Sequence, residues 1–345
     1  MSLELLSPPE NVVRLGLNEN FFISESLVKN VIREAVSRVD PRTYPEAFYD
    51  QLACKIAARL GLEPENIVVG PGSDRLIAAL VNLRIRPGAK AVSIHPTFEE
   101  FDRVVKLHGG CLKPVLLKPD NFQLDLDRVM AECRDAALVY LSSPNNPTGN
   151  QFPQEEVEAI IEDLEAVVIV DEAYAEYADY TLAQEAASRN NLVVLRTFSK
   201  AWGLAGLRVG YAVASSDLAR SIKEVLGPFT VSIVSAKAAE IMLDHEVEVK
   251  RAVRETIKVR EEMYGQFKKM GLKPYRSKTN FIMVKTSLDE KVVFRKLLTK
   301  GFHVRELSDK PLCRNCIRVT MAPKTIMKRF INALKEVIEE SSSMR

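Results

Sequence analysis

Short apolar runs recur through the first two thirds of the chain, at 67–69, 91–94, 137–141, 167–170, 192–195 and 209–213, and most contain no polar residue. A strand with one wet face alternates apolar and polar positions, whereas a strand covered on both faces reads as an unbroken Val/Ile/Leu segment. The six runs therefore predict strands of a buried sheet. Between them, residues 26–39, 49–60, 76–83, 98–107 and 155–164 carry apolar side chains at helical spacing. Strands alternating with such helices specify an α/β fold, with a mostly parallel central sheet and helices on both faces.

Near residue 215 the pattern changes. A helix-rich stretch dense in Lys, Arg and Glu runs to 270 and includes a long connecting helix; short strands (280–284, 301–305, 316–320) and helices (290–299, 325–338) then alternate. This predicts a smaller α+β lobe. The expected organisation is an N-terminal segment (1–30) packed on the small domain or a partner subunit, a large domain (31–246) and a small C-terminal domain (247–345).

Composition narrows the function classes. In 345 residues, 48 basic against 46 acidic side chains leave a formal charge of +2, and no basic block forms a nucleic-acid track. No apolar run is long enough to span a bilayer, and the N-terminus lacks the basic and apolar regions of a secretion signal, so cytoplasmic residence is expected. Five scattered cysteines fit reduced thiols. Cys313 and Cys316 have the spacing of half a zinc site, but a structural zinc needs four ligands, so no metal is expected.

Candidate chemistry collects where three successive strands end, which is where open α/β sheets bind ligands. The run at 137–141 leads into Ser-Ser-Pro-Asn-Asn-Pro-Thr-Gly (142–149), the run at 167–170 into Asp171 and Tyr174, and the run at 192–195 into Arg-Thr-Phe-Ser-Lys (196–200). Taken singly, each has an ordinary explanation: a rigid turn, a helix cap and a solvent-facing lysine. Together they supply an imine-forming lysine, a carboxylate able to face a protonated ring nitrogen, and a phenol. Thr197, Ser199 and Arg208 suit a phosphate. Gly203, Gly206 and Gly210 do not have the spacing of a dinucleotide fingerprint.

With these motifs in order, joined by Leu-Asn-Glu-Asn (17–20), Tyr44-Pro45, Gly-Pro-Gly-Ser-Asp (70–74), Pro-Thr-Phe (96–98), Thr-Asn-Phe-Ile (279–282), Val304-Arg305 and Asn-Cys-Ile-Arg-Val-Thr (315–320), the chain resembles the class I/II pyridoxal-phosphate aminotransferases of fold type I. Within them it is most similar to the histidinol-phosphate aminotransferases. The resemblance implies pyridoxal 5'-phosphate as cofactor. It implies that Lys200 holds the cofactor covalently and shuttles a proton, that Asp171 faces the pyridine nitrogen, and that Asn146 and Tyr174 face the ring hydroxyl. Phe98 would stack on the ring. Gly72, Ser73, Asp74, Thr197, Ser199 and Arg208 would form the phosphate cup, with the helix dipole behind it. Tyr44 would reach that cup from the second subunit of a homodimer.

Asn20, Arg305 and Arg318 are the expected substrate contacts, and the expected partners are a small-molecule amino donor and an oxo-acid or phosphate-bearing acceptor. The implied reaction passes an amino group from glutamate to imidazole acetol phosphate in ping-pong fashion. Phe21 and Phe22 replace the family's Gly-Pro, Arg75 replaces Glu, Thr230 stands where Asn is common, and Ala322 replaces Gly. The two phenylalanines could favour an aromatic amino acid. Threonine-phosphate decarboxylation, and a non-catalytic sensor on the same fold, would use the same cofactor residues.

Overall fold

The computed structural model describes residues 11–45 and 48–342. Its strands are β1 (Val13–Arg14), β2 (Ile67–Gly70), β3 (Lys90–His95), β4 (Cys111–Leu116), β5 (Leu138–Ser142), β6 (Val167–Asp171), β7 (Leu192–Thr197), β8 (Gly210–Val213), β9 (Lys273–Pro274), β10 (Phe281–Lys285), β11 (Phe302–His303), β12 (Arg305–Glu306) and β13 (Cys316–Thr320). The helices are α1 (Glu25–Arg38), α2 (Phe48–Leu60), α3 (Ser73–Arg84), α4 (Glu100–Leu107), α5 (Leu126–Cys133), α6 (Gln154–Asp163), α7 (Ala183–Ser188), α8 (Ser216–Leu226), α9 (Ile233–Met242), α10 (Glu246–Lys269), α11 (Glu290–Thr299) and α12 (Lys324–Ser342).

Seven strands form the central sheet in the order β2-β8-β7-β6-β5-β3-β4. All its pairs are parallel except the two made by β8. The unbroken apolar runs are explained by burial of both faces. In β5, Val139 and Leu141 enter one core with α1, α2, α6 and α9, while Leu138 and Tyr140 enter another with α3, α4 and α8. Strand β4, absent from the sequence expectation, lies at the sheet edge and carries Lys113 and Pro114. Proline is tolerated at an edge because no further ladder bond is lost, and the wet pattern hides the strand from a search for apolar runs.

A four-stranded antiparallel sheet, β12-β13-β10-β9, packs on α10, α11 and α12 through a separate core that includes Ile282, Val284, Ile317, Val319, Phe267 and Phe330. Helix α10 serves both cores: Val249 and Ala252 belong to the main one, Met263 and Phe267 to the smaller. The passage between them thus lies within this helix. Strand β1 pairs in parallel with β11, and Leu15 is buried in the smaller core. The chain then crosses to the mouth of the central sheet.

Three register pairs position the site. Ser142 pairs with Asp171, so the β5 and β6 ends lie side by side. Gly210 pairs with Gly70 on one side and Thr197 on the other. Because β8 runs antiparallel, its first residue sits among the last residues of its parallel neighbours. The strands extend past their apolar runs to Ser142, Asp171 and Thr197, since these polar residues still make ladder bonds. Helix α4 starts at Glu100, which leaves Phe98 outside it and 36% exposed, while Phe101 and Val105 take the core positions.

Candidate active site

A cavity of about 290 Å³ opens over the ends of β5, β6 and β7 and is closed on its far side by residues of β12 and β13. Lys200 lies in its wall, its Nζ donating to the Leu17 carbonyl at 3.1 Å. Its pKa is lowered to about 8, chiefly by burial, with the Arg318 and Arg208 guanidiniums adding to the effect and Glu19 and Asp171 opposing it. A usable fraction is therefore free amine near neutrality. Asp171 accepts from the Tyr140 hydroxyl at 2.8 Å and the Ala173 amide at 3.0 Å. Burial nevertheless raises its pKa to about 6, so a cation beside it would be stabilising.

The Tyr174 hydroxyl accepts from Asn18 Nδ2 at 2.8 Å, which leaves its own hydrogen to be donated. Burial pushes that phenol up to about 12, so it stays protonated across the neutral range. Asn146 lines the same wall and accepts from Arg318 through Oδ1. Behind the site, the buried Arg196–Glu172 pair at 2.9 Å ties the end of β7 to that of β6. Removing one partner of such a pair costs about 3–5 kcal/mol, because the other charge is left buried alone.

Next to Lys200 lies a cup built on backbone. Gly72 caps α3 at φ 93° without a side-chain acceptor for the first helix amides, which face an anion well. A Cβ on Gly72 would fall 2.5 Å from Arg208 Nη2, and one on Gly210 would fall 2.6 Å from the Ser73 nitrogen. Gly210 has no room for a side chain against that backbone, and the φ of 93° strains any other residue at Gly72. Thr197 Oγ1 donates to Ser199 Oγ at 3.0 Å, and Arg208 donates to Asp74 at 2.7 Å. Ser73, Asp74, Thr197, Ser199 and Arg208 all reach the cavity.

The opposite wall is cationic. Arg305 and Arg318 face each other across the β12–β13 ladder, and both line the cavity. As the alternation in β13 predicts, Arg318 points away from the core side of Ile317 and Val319. It donates to Asn146 Oδ1 and, at 2.5 Å, to the Gly16 carbonyl, while its Nε is buried with no partner among the described residues. Burial lowers its pKa to about 10, and Arg305 adds to the effect. Arg305 is held by the Glu306 carbonyl at 2.8 Å and Asp309 at 2.7 Å.

Asn20, Phe21 and Phe22 lie outside the cavity, and Tyr44, expected to reach the cup of a second subunit, lies outside this chain's own. Asn20 does not line the cavity: its Nδ2 donates to the Ala201 carbonyl at 2.7 Å, and its Oδ1 accepts from the Phe22 and Ile23 amides. Phe21 and Phe22 pack against the hydrophobic cores, not the cavity. Tyr44 is 71% exposed and contacts Phe229, with ring centroids 4.7 Å apart, away from the chain's own cup. Cys313 and Cys316 are buried thiols, pushed up by burial, with Cys313 Sγ 3.9 Å from Met283 Sδ.

Sequence reasoning alone misses Asn18, Tyr140 and Lys310. Asn18 stands inside the Leu-Asn-Glu-Asn motif, and its left-handed backbone (φ 58°) suits Asn. Tyr140 is a phenol in an otherwise aliphatic strand. Lys310 gives no local signal.

These residues fit pyridoxal phosphate. The crowded cup and uncapped α3 suit its phosphate, the buried Asp171 carboxylate would be relieved by a pyridinium nitrogen, and Lys200 is a partly neutral amine lining the same cavity.

A family model described as "Aminotransferase class I and II" matches residues 10–334. The chain is 40% identical to histidinol-phosphate aminotransferase 2 of Carboxydothermus hydrogenoformans, over 95% of this chain and 92% of that protein. It is 37% identical to histidinol-phosphate aminotransferase of Pyrococcus furiosus, over 94% and 92%. Among solved structures, histidinol-phosphate aminotransferase of Sinorhizobium meliloti in complex with pyridoxal-5'-phosphate superposes with a TM-score of 0.87 at 31% identity, covering 95% of this chain and 91% of that one. An asparagine after β5, a carboxylate and a phenol at the end of β6 and a lysine after β7, beside a backbone cup and a matching family model over most of the length, place the chain in the class I and II aminotransferases.

Proposed function

We propose that this protein is a pyridoxal-phosphate-dependent aminotransferase that exchanges the amino group of histidinol phosphate with 2-oxoglutarate, giving imidazole acetol phosphate and glutamate. The observation that carries the substrate assignment is the meeting of Arg305 and Arg318 in one cavity with Lys200. Two guanidiniums beside a partly neutral lysine suit a substrate with an amine next to a multiply charged anion. The relatives of 40% and 37% identity bear the name of that reaction.

When bound, pyridoxal phosphate supplies an electron sink conjugated to the substrate's Cα. Gly72, Ser73, Thr197, Ser199 and Arg208 would hold its phosphate, and Phe98 would pack against its ring. The Asp171 carboxylate, fixed by Tyr140, keeps a proton on the ring nitrogen. Tyr174 and Asn146 donate to the ring hydroxyl. Lys200 Nζ, lowered to about 8, takes the proton from substrate Cα and is well placed to return it. Arg318 holds the anionic group next to that carbon and so sets which bond Lys200 meets.

We further propose that the active unit is a homodimer. The exposed Tyr44–Phe229 pair supports it, being an aromatic patch that the chain itself does not cover. The reaction class is tested by product analysis of the purified enzyme. With histidinol phosphate and 2-oxoglutarate, glutamate should accumulate one for one and initial-rate plots should be parallel. Carbon dioxide release from threonine phosphate, without glutamate formation, would overturn the assignment.

A further inference from the structure

Lys310 lies on the turn between β12 and β13 and lines the cavity beside Arg305 and Arg318. Its side chain is only 12% exposed, and its Nζ donates to the Thr97 carbonyl at 3.1 Å and to Glu99 Oε2 at 3.0 Å. An ammonium has three hydrogens, so one remains for a ligand. Stems of this kind are usually left in water; here the head is turned into a polar cavity.

The charges around it are unevenly matched. Arg305 is balanced by Asp309, with the buried Glu306 carboxylate 3.8 Å away, and Lys310 is balanced by Glu99; Asp309 and Glu99 are 39% and 45% exposed. Asp309 and Glu99 can be solvated where they stand, so an incoming anion can displace or share them on the two buried cations. Arg318 differs, since its partners are the neutral Asn146 and Gly16 oxygens. One anionic group is therefore provided for by Arg318, and a second negative charge has Arg305 and Lys310 to meet it.

We propose that Lys310 is a specificity-determining residue that contacts the substrate and selects for its second negative charge. The favoured class is an amine carrying a phosphate monoester or a second carboxylate, over an amino acid with a single carboxylate. This rests on the aminotransferase reading of the same cavity. A competing role is purely structural, because the bonds to Thr97 and Glu99 also steady the segment that carries Phe98.

Half-reactions of the holoenzyme separate the two roles. In Lys310→Met, KM for histidinol phosphate and for glutamate should rise about tenfold with kcat nearly kept, while kcat/KM for phenylalanine stays within about twofold. Lys310→Arg, which keeps the charge, should remain within about threefold of wild type on all three. Dead-end ligands give the comparison without turnover: maleate should bind Lys310→Met about tenfold more weakly, and 3-phenylpropionate unchanged, by the shift in cofactor absorption. An equal loss on every substrate, or no change on any, would overturn the proposal. If wild type ignores histidinol phosphate, the substrate assignment falls, yet glutamate against phenylalanine and maleate against 3-phenylpropionate still decide the role of Lys310.

Discussion

Burial shifts Lys200 and Asp171 in opposite directions, and the charge of each opposes the other's shift. Burial disfavours the charge on both, lowering the amine to about 8 and raising the carboxyl to about 6. Nearby guanidiniums lower the lysine further, so its proton is lost as pH rises through about 8 rather than near the ordinary lysine value. The rate at which apoprotein captures pyridoxal phosphate covalently should accordingly climb with pH around a midpoint near 8. In Arg318→Met the midpoint should move up, because one of the charges that disfavours the ammonium is gone. Stopped-flow absorbance across about pH 6.5–10 reads this directly. A wild-type midpoint near the free-lysine value, or one that Arg318→Met leaves in place, would show that burial and Arg318 do not control the amine. At this scale the sequence is most legible where a polar residue ends an apolar run: Lys200, Asp171 and Tyr174 all stand out that way. Within the Leu-Asn-Glu-Asn motif the pattern does not tell Asn18, whose amide reaches Tyr174, from Asn20, which holds the Ala201 carbonyl.

Among the elements, β8 does more than add a strand. Its antiparallel insertion brings Gly210 between Gly70 and Thr197, so that the β2–α3 turn and the loop after β7 form one cup. A side chain at Gly210 would have to move backbone, since its Cβ would lie 2.6 Å from the Ser73 nitrogen and 2.9 Å from the Gly72 carbonyl carbon. Gly210→Ala should therefore weaken cofactor binding at least tenfold, about 1.4 kcal/mol, as read by fluorescence titration of apoprotein. Unchanged affinity would mean that the cup does not depend on this close approach. Apolar periodicity predicts the buried strands because both faces of the sheet are covered. It could not reveal β4, whose wet, proline-bearing pattern belongs to an edge, or the direction of β8, which depends on pairing rather than on composition.

For the whole molecule, the site exists because two separately cored sheets are apposed. The central sheet supplies Lys200, Asp171 and Tyr174; the smaller sheet supplies Arg305 and Arg318; the N-terminal stretch, anchored by β1 on β11, threads Leu17 and Asn18 between them. The order of motifs along the chain carries much of this, but the convergence of Lys310 and Glu99 is invisible to it, because they are 211 residues apart in sequence. What the cavity accepts follows from its cationic wall, and a half-reaction tests that most directly. Purified holoenzyme is mixed with histidinol phosphate, phenylalanine or threonine phosphate, with no oxo-acid present, and the cofactor's absorption band is followed. The account predicts that histidinol phosphate removes the band at the lowest concentration and that imidazole acetol phosphate appears in equal amount. It would be contradicted if phenylalanine or threonine phosphate did so in preference, or if Lys200→Ala turned over histidinol phosphate as fast as wild type.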